Sequence, residues 1–206
     1  EAALATLTRR SDADLAAAWA RSTVAMVNAP GCEALNSADD LMYLAPVADD
    51  LPSAPVAWPK IFAKSVIFSI TASNPMGFQV PPEANLAANA ALEEDIRNMQ
   101  RPCTPRAWWR SFSFDAKEGL QPREQADREG ASWREDGVSV AFATEEFGFA
   151  RASILNLAHK HKQAAVVAYR VKGGALVRET LWLDPKKQQA HGAEQEVTLV
   201  RAARGG

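Results

Sequence analysis

The sequence has few of the residues that usually betray a reaction. Its 206 residues hold two cysteines, Cys32 and Cys103, too few for a disulfide framework or a self-contained zinc module, and no C-x-x-C pair. Of the three histidines, His159 and His161 lie two apart. On a helix that spacing turns them roughly 200° from each other, so they cannot chelate together. His191 is isolated, and no metal is expected. No apolar run reaches the roughly 18 residues of a membrane span. Neither sign of charge prevails: 23 Lys and Arg oppose 25 Asp and Glu, a formal charge of −2, which removes the usual electrostatic case for a nucleic-acid binder. There is no G-x-G-x-x-G, no Walker A loop and no G-x-S-x-G, so neither a cofactor nor a nucleophile is announced.

What is present describes a folded domain. Hydrophobic residues make up 47% and charged residues 23%, both ordinary for a globular chain. A helix is expected over 11–28, capped by Ser11 or Asp12, with Leu15, Trp19 and Val24 near helical spacing. Residues 29–60 hold five of the twelve prolines, and proline removes a donor, so this stretch reads as an extended arm unsuited to a central strand. The arm carries Leu41, Met42, Tyr43, Leu44 and Trp58. These either lie over the chain's own domain or grip a partner.

Regularity begins at residue 65. Ser65–Ala72 is β-branched and apolar, a strand by composition. Asn74-Pro75-Met76-Gly77 is a turn. Pro81–Met99 reads as a helix, Ala107–Phe114 as a strand, and 115–132 as a charged loop. Val138–Phe142 is a strand and Thr144 opens a second helix, with Phe147, Ile154, Leu155 and Ala158 on its apolar face. Ala164–Val171 and Ala175–Leu183 form a hairpin through Gly173-Gly174. Glu196–Ala203 is a further strand or a tail. The order β-α-β-β-α-β-β leads us to expect an α+β fold, a ferredoxin-like two-layer βαββαβ sandwich with one extra C-terminal strand. The expected organisation is an N-terminal helix and arm over 1–60, a domain over 61–185 and an extension over 186–206.

Several short motifs agree in order with a known family. Ile70–Gly77 (ITASNPMG), then Asn85, Asn89 and Leu92, then Trp133–Val140 (WREDGVSV), then Gln163–Val166 after the second helix, resemble the uncharacterised domain of unknown function 3293 over about residues 63–183. The resemblance implies a domain found in bacteria and some photosynthetic eukaryotes, with no reaction to carry over. It also implies glycine where this chain has Lys162, and an aromatic where it has Ser73.

Asn74, Asn85, Asn89, Glu135 and Gln163 form the candidate ligand set. Asn85 and Asn89 share one helical face, and Glu135 is the one plausible general base among them. The alternative reading is that Asn74 makes an Asx turn before Pro75 and the others tie loops to the sheet. Along Ala107–Phe114, strict alternation groups Trp108 with Arg110, Phe112 and Phe114 and sets Trp109 on the other face, so an aromatic contact surface is expected on one side. Residues 97–187 carry 16 basic and 11 acidic residues, whereas residues 1–60 carry 4 and 8, so the small net charge is a cancellation. These features lead us to expect a non-catalytic accessory subunit that docks onto a large assembly through its arm and through Trp108 and Trp109. The second expectation is a small-molecule-binding or hydrolytic enzyme using the amide and carboxylate set. The sparse cysteines suit a reducing compartment. The chain opens at Glu1 rather than Met, so a removed leader or a longer parent chain is expected. Together with the resemblance, this makes plastid stroma and a photosystem-type complex the expected setting, with the cytosol as alternative.

Overall fold

The computed structural model describes residues 11–26, 41–47, 57–100, 102–115 and 134–202. Cys32 and nearly all of the 115–132 loop lie outside them. Helix α1 spans Asp12–Arg21; the Ser11 side chain accepts the Asp14 backbone N–H at 3.1 Å, the N-cap geometry its sequence promised. The helix then stops, and Ser22–Met26 is strand β1. Thr23 and Val24 favour that change, since their branched Cβ atoms suit a pleated strand better than a helix. Strand β2 follows at Leu41–Pro46, then α2 (Lys60–Lys64), β3 (Ser65–Thr71) and α3 (Pro82–Arg97). The remaining elements are β4 (Ala107–Asp115), β5 (Arg134–Ala143), α4 (Phe147–Lys160), β6 (Ala165–Lys172), β7 (Ala175–Trp182), α5 (Pro185–His191) and β8 (Glu194–Ala202).

The expected ferredoxin-like sandwich is overturned. All eight strands join in one closed antiparallel barrel, in the order β1-β2-β8-β7-β6-β3-β5-β4. The stretch from β3 to β6 does alternate strands and helices as anticipated, but its sheet has no free edge. Strand β1 pairs with β4 from Ser22↔Asp115 to Met26↔Ser111 and with β2 through Val24↔Leu44. Strand β2 in turn pairs with β8 from Leu41↔Ala202 to Pro46↔Val197. The supposed arm therefore contributes a barrel stave. Its prolines did not prevent this because 41–45 contains none, and Pro46 is the last residue of its strand. Closure removes the unpaired edge N–H and C=O groups that an open sheet would present.

An eight-stranded barrel has an interior just wide enough to be filled by side chains. Here Val24, Met26, Leu44, Ile67, Trp109, Ala141, Tyr169, Leu176, Val197 and Leu199 form that filling, closed off by Phe62 from α2. Outside the barrel, α3 and α4 cover the opposite faces of β3, β5 and β6. Leu92 and Ile96 of α3 and Ala150, Ile154 and Ala158 of α4 meet Val66, Phe68, Ile70, Val138, Val140 and Phe142. One close approach fixes the β3–β5 register: Gly137 faces Thr71, and a Cβ on it would stand 2.4 Å from the Ile70 carbonyl oxygen.

Candidate functional site

Alternation along the strands gives the barrel two unlike ends. Towards α2 the inward residues are apolar. Towards α1 they are small and polar: Ser22 on β1, Ser69 and Thr71 on β3, Ser111 and Ser113 on β4, and Glu135 and Ser139 on β5. The Ser69 and Ser139 hydroxyls lie 2.8 Å apart, and Ser139 Oγ donates to Ser111 Oγ at 3.0 Å. Sharing hydrogen bonds in this way lets hydroxyls sit inside a barrel without the cost of orphaned donors. Beside this ladder lies a cavity of about 50 Å³, lined on its polar side by the strand residues just named other than Ser139 and by Gln163, and on its apolar side by Trp19 of α1 with Val24, Phe112 and Val167 among others. Its volume suits roughly three or four waters or a ligand of a few heavy atoms.

The five sequence candidates do come together, in a tight arrangement around the loop after β3. Asn85 Oδ1 accepts the Asn74 backbone N–H at 2.8 Å, and Asn85 Nδ2 donates to Asn74 Oδ1 at 3.2 Å. Asn74 Nδ2 then donates to Glu135 Oε1 at 3.3 Å. One helical turn along, Asn89 Oδ1 accepts the Ala72 N–H at 2.9 Å while its Nδ2 donates to Ser73 Oγ at 2.8 Å. Gln163 Nε2 donates to the carbonyls of Ser73, at 3.0 Å, and His161, at 3.2 Å. Glu135 and Gln163 reach the cavity, whereas the three asparagines stand behind it and fix its wall. The loop they clasp is strained, with φ values of 48° at Asn74 and 53° at Met76, and so is the turn after α4, where Lys162 has a φ of 54°. Lys162 occupies the place where the family resemblance implies glycine, and its left-handed φ supplies the physical reason for glycine there. Its carbonyl accepts the Met76 N–H at 2.7 Å, so the two strained segments hold each other.

The expected partner residues fall elsewhere. Tyr43 and Leu44, expected on an arm that lies over the domain or grips a partner, and Trp109, expected at an aromatic contact, are core residues, 2%, 1% and 4% exposed. Leu41 and Met42 occupy β2, but their side chains are outside the described set. Trp58 packs half-buried against the barrel filling, and Trp108 lies half-buried on the outer face beneath the Arg97 guanidinium, 5.3 Å away. His161 Nε2 sits 2.7 Å from Asp95 Oδ2, beside the Lys160–Asp95 ion pair. Burial opposes the charged form of Asp95, yet the hydrogen bonds and charges of Lys160 and His161 outweigh it and hold the carboxyl below its ordinary value.

Sequence reasoning missed the hydroxyl ladder and two further residues, Arg178 and Trp182. The signal for the ladder was the pair Ser111 and Ser113, two apart on β4, but alternation marks a polar interior only once the sheet is known to close. Arg178 is 2% exposed and projects to the α1 end, donating to the carbonyls of Ala20 and Ser22, both at 2.6 Å, and to Gln195 Oε1 at 2.7 Å. It thus meets the partial negative charge at the end of α1.

The fold and site define a closed barrel domain with a packed core, a polar mouth crossed by a short helix, and two helices on its outer wall. The family described as Protein of unknown function (DUF3293) matches residues 70–166, a little under half of the chain, and over that segment the chain is similar to this family. All five polar candidates fall within the match, while β1, β2, β7 and β8, half of the barrel, fall outside it. No curated protein and no solved structure shows a significant match to the chain.

Proposed function

We propose that this chain binds a small, donor-rich polar molecule, an amine or polyol, in the mouth of its barrel. The observation that carries the reading is the reversal of polarity along the lumen. Seven inward positions at the α1 end bear hydroxyls or a carboxylate, although an apolar filling would stabilise the barrel more. Glu135 supplies the anionic acceptor, and Asn74, locked by Asn85, fixes its orientation. Ligand sites in the mouths of barrels commonly combine a shaped cavity with a few convergent polar groups. Saturation-transfer NMR with ethanolamine and glycerol tests this. The wild-type chain should saturate with at least one of them, and Glu135→Gln or Ser113→Val should abolish the effect without unfolding the protein. Absence of saturation by both probes, or binding indifferent to both substitutions, would overturn the reading.

A second reading is supported by the outer helices. Leu86 on α3 and Phe149 on α4 are 73% and 66% exposed, large apolar side chains open to a partner. They favour docking onto a larger assembly as an accessory subunit, in the plastid case the stromal side of a photosystem-type complex. No helix among the described residues is long and apolar enough to cross a membrane. On native gels of source membranes the chain should migrate with the assembly, and Leu86→Ser with Phe149→Ser should release it. Migration of the wild-type chain as a free monomer refutes this reading.

A further inference from the structure

A second cavity, of about 260 Å³, lies on the other side of α1 from the hydroxyl ladder, between that helix and the β7–β8 edge of the lumen. Its apolar walls are Ala16 and Ala20 of α1 and Ala193, and its polar lining is Arg178, Thr180, Trp182, His191, Glu194 and Gln195. Two observations there lack a structural explanation. The buried Arg178 guanidinium has no carboxylate within ion-pairing distance among the described residues; its acceptors are neutral carbonyls, a hydroxyl and an amide. Burying a cation without an anion is costly, and helix-end carbonyls offset only part of that cost. Trp182 is 3% exposed, and its indole Nε1–H is buried with no acceptor among the described residues. An orphaned buried donor calls for a partner.

The surrounding charges point the same way. Lys187 Nζ stands 5.8 Å from the Trp182 ring centroid but is paired with Asp12 at 2.9 Å, and the His191 ring lies 5.8 Å from the same indole. Glu194 is the one carboxylate on the lining, and it is engaged by Arg170, at 2.6 Å, and by Lys172. Those contacts, the Lys172 hydrogen bond foremost, hold its carboxyl below the ordinary value. Of the charged groups on the lining, Glu194 is thus already neutralised, and Arg178 is left as a cation without a carboxylate among the described residues.

We infer that this cavity is a binding site for a small oxyanion, a phosphate or carboxylate group, that accepts from the Trp182 indole N–H and the Thr180 hydroxyl and offsets the buried charge of Arg178. The site is separate from the hydroxyl-lined mouth and does not depend on the reading given to that mouth. Titration of ¹⁵N-labelled full-length chain with inorganic phosphate, glycerol phosphate and succinate, at constant ionic strength set with sodium chloride, tests it. The indole signal of Trp182, assigned by its loss in Trp182→Phe, should move downfield and saturate with at least one anion. The anion that acts distinguishes phosphate from carboxylate recognition. Thr180→Val should weaken that binding about tenfold, the usual effect of deleting a hydrogen bond to a charged group. Arg178→Lys, which keeps the charge where the protein still folds, should retain binding in weakened form. A Trp182 indole signal unmoved by all three anions overturns the proposal, as does a response equal to that of sodium chloride alone or one unchanged in Thr180→Val.

Discussion

Removing the Asn89 side chain tests whether the asparagine clasp is what holds the loop after β3. Asn89 Oδ1 is the acceptor for the Ala72 N–H, and Ala72 is 2% exposed, so Asn89→Ala leaves that donor buried and unpaired. The orphaned group alone should cost about 1–3 kcal/mol. The bond from Asn89 Nδ2 to Ser73 Oγ is also lost, adding about 1 kcal/mol. A total of about 2–4 kcal/mol follows, which for a chain of this size lowers Tm by roughly 4–16 °C. Asn89→Asp is the discriminating control. It keeps the acceptor for Ala72 but sets a carboxylate oxygen against Ser73 Oγ. Ser73 can answer only by turning its hydroxyl away from the Asp136 carbonyl, which it now reaches at 3.2 Å. The aspartate variant should therefore lose about half as much as the alanine variant. Urea unfolding with unchanged slope gives both values. An alanine variant within about 0.5 kcal/mol of wild type would refute the argument, since that is the range of ordinary surface substitutions. An aspartate variant as damaged as the alanine would show that the Ala72 donor is not the principal loss.

Two further outcomes follow from the packing and charge. The depressed Asp95 carboxyl contributes stability that is present above its unfolded pKa and is lost as the pH falls through its lower folded value, so Asp95→Asn should flatten the acid limb of a stability-against-pH curve below about pH 4 and change its shape little above. An acid limb of unchanged slope would remove Asp95 as its cause. Trp109→Ala should cost about 3–5 kcal/mol by emptying the centre of the barrel, whereas Trp109→Phe should cost under about 1.5 kcal/mol, because the indole N–H it deletes has no acceptor among the described residues. Urea midpoints decide between these, and equal losses would show that the orphan donor is irrelevant.

The elements between residues 65 and 183 were legible because their signals are local. Proline punctuation and spacing marked Pro81–Met99 as the helix that is α3, and the Gly173-Gly174 turn placed the β6–β7 hairpin. The same was true of the polar five, whose order in the chain marked them before any geometry was known. What failed was pairing across long stretches of chain. Nothing near Ser22–Met26 says that its partner is Ser111–Asp115, some ninety residues away. The proline count of 29–60 averaged over a stretch whose apolar centre, Leu41–Ala45, contains no proline. Burial of Tyr43, Leu44 and Trp109 follows from that closure: a face that would seek a partner on an open sheet becomes interior or covered once the sheet meets itself.

Closure also explains why the polar residues could not be weighed correctly one at a time. In an open sandwich Ser69, Ser111 and Ser139 would be unremarkable strand serines, and Arg178 a surface cation. In the barrel they share one lumen with Tyr169, whose fully buried hydroxyl has its pKa raised by burial against the opposing effect of Arg178. A lumen that is apolar at the α2 end and polar at the α1 end gives up hydrophobic stabilisation where it is polar. The chain offsets this locally, by tying α1 to Arg178 through two carbonyls and by clasping residues 72–74 with Asn85, Asn89 and Gln163. A fold that only needed to close would have filled both ends alike. The rigid, hydrogen-bonded mouth, and beside α1 an indole N–H without an acceptor and a guanidinium without a carboxylate among the described residues, are the physical reason to test both places for ligands.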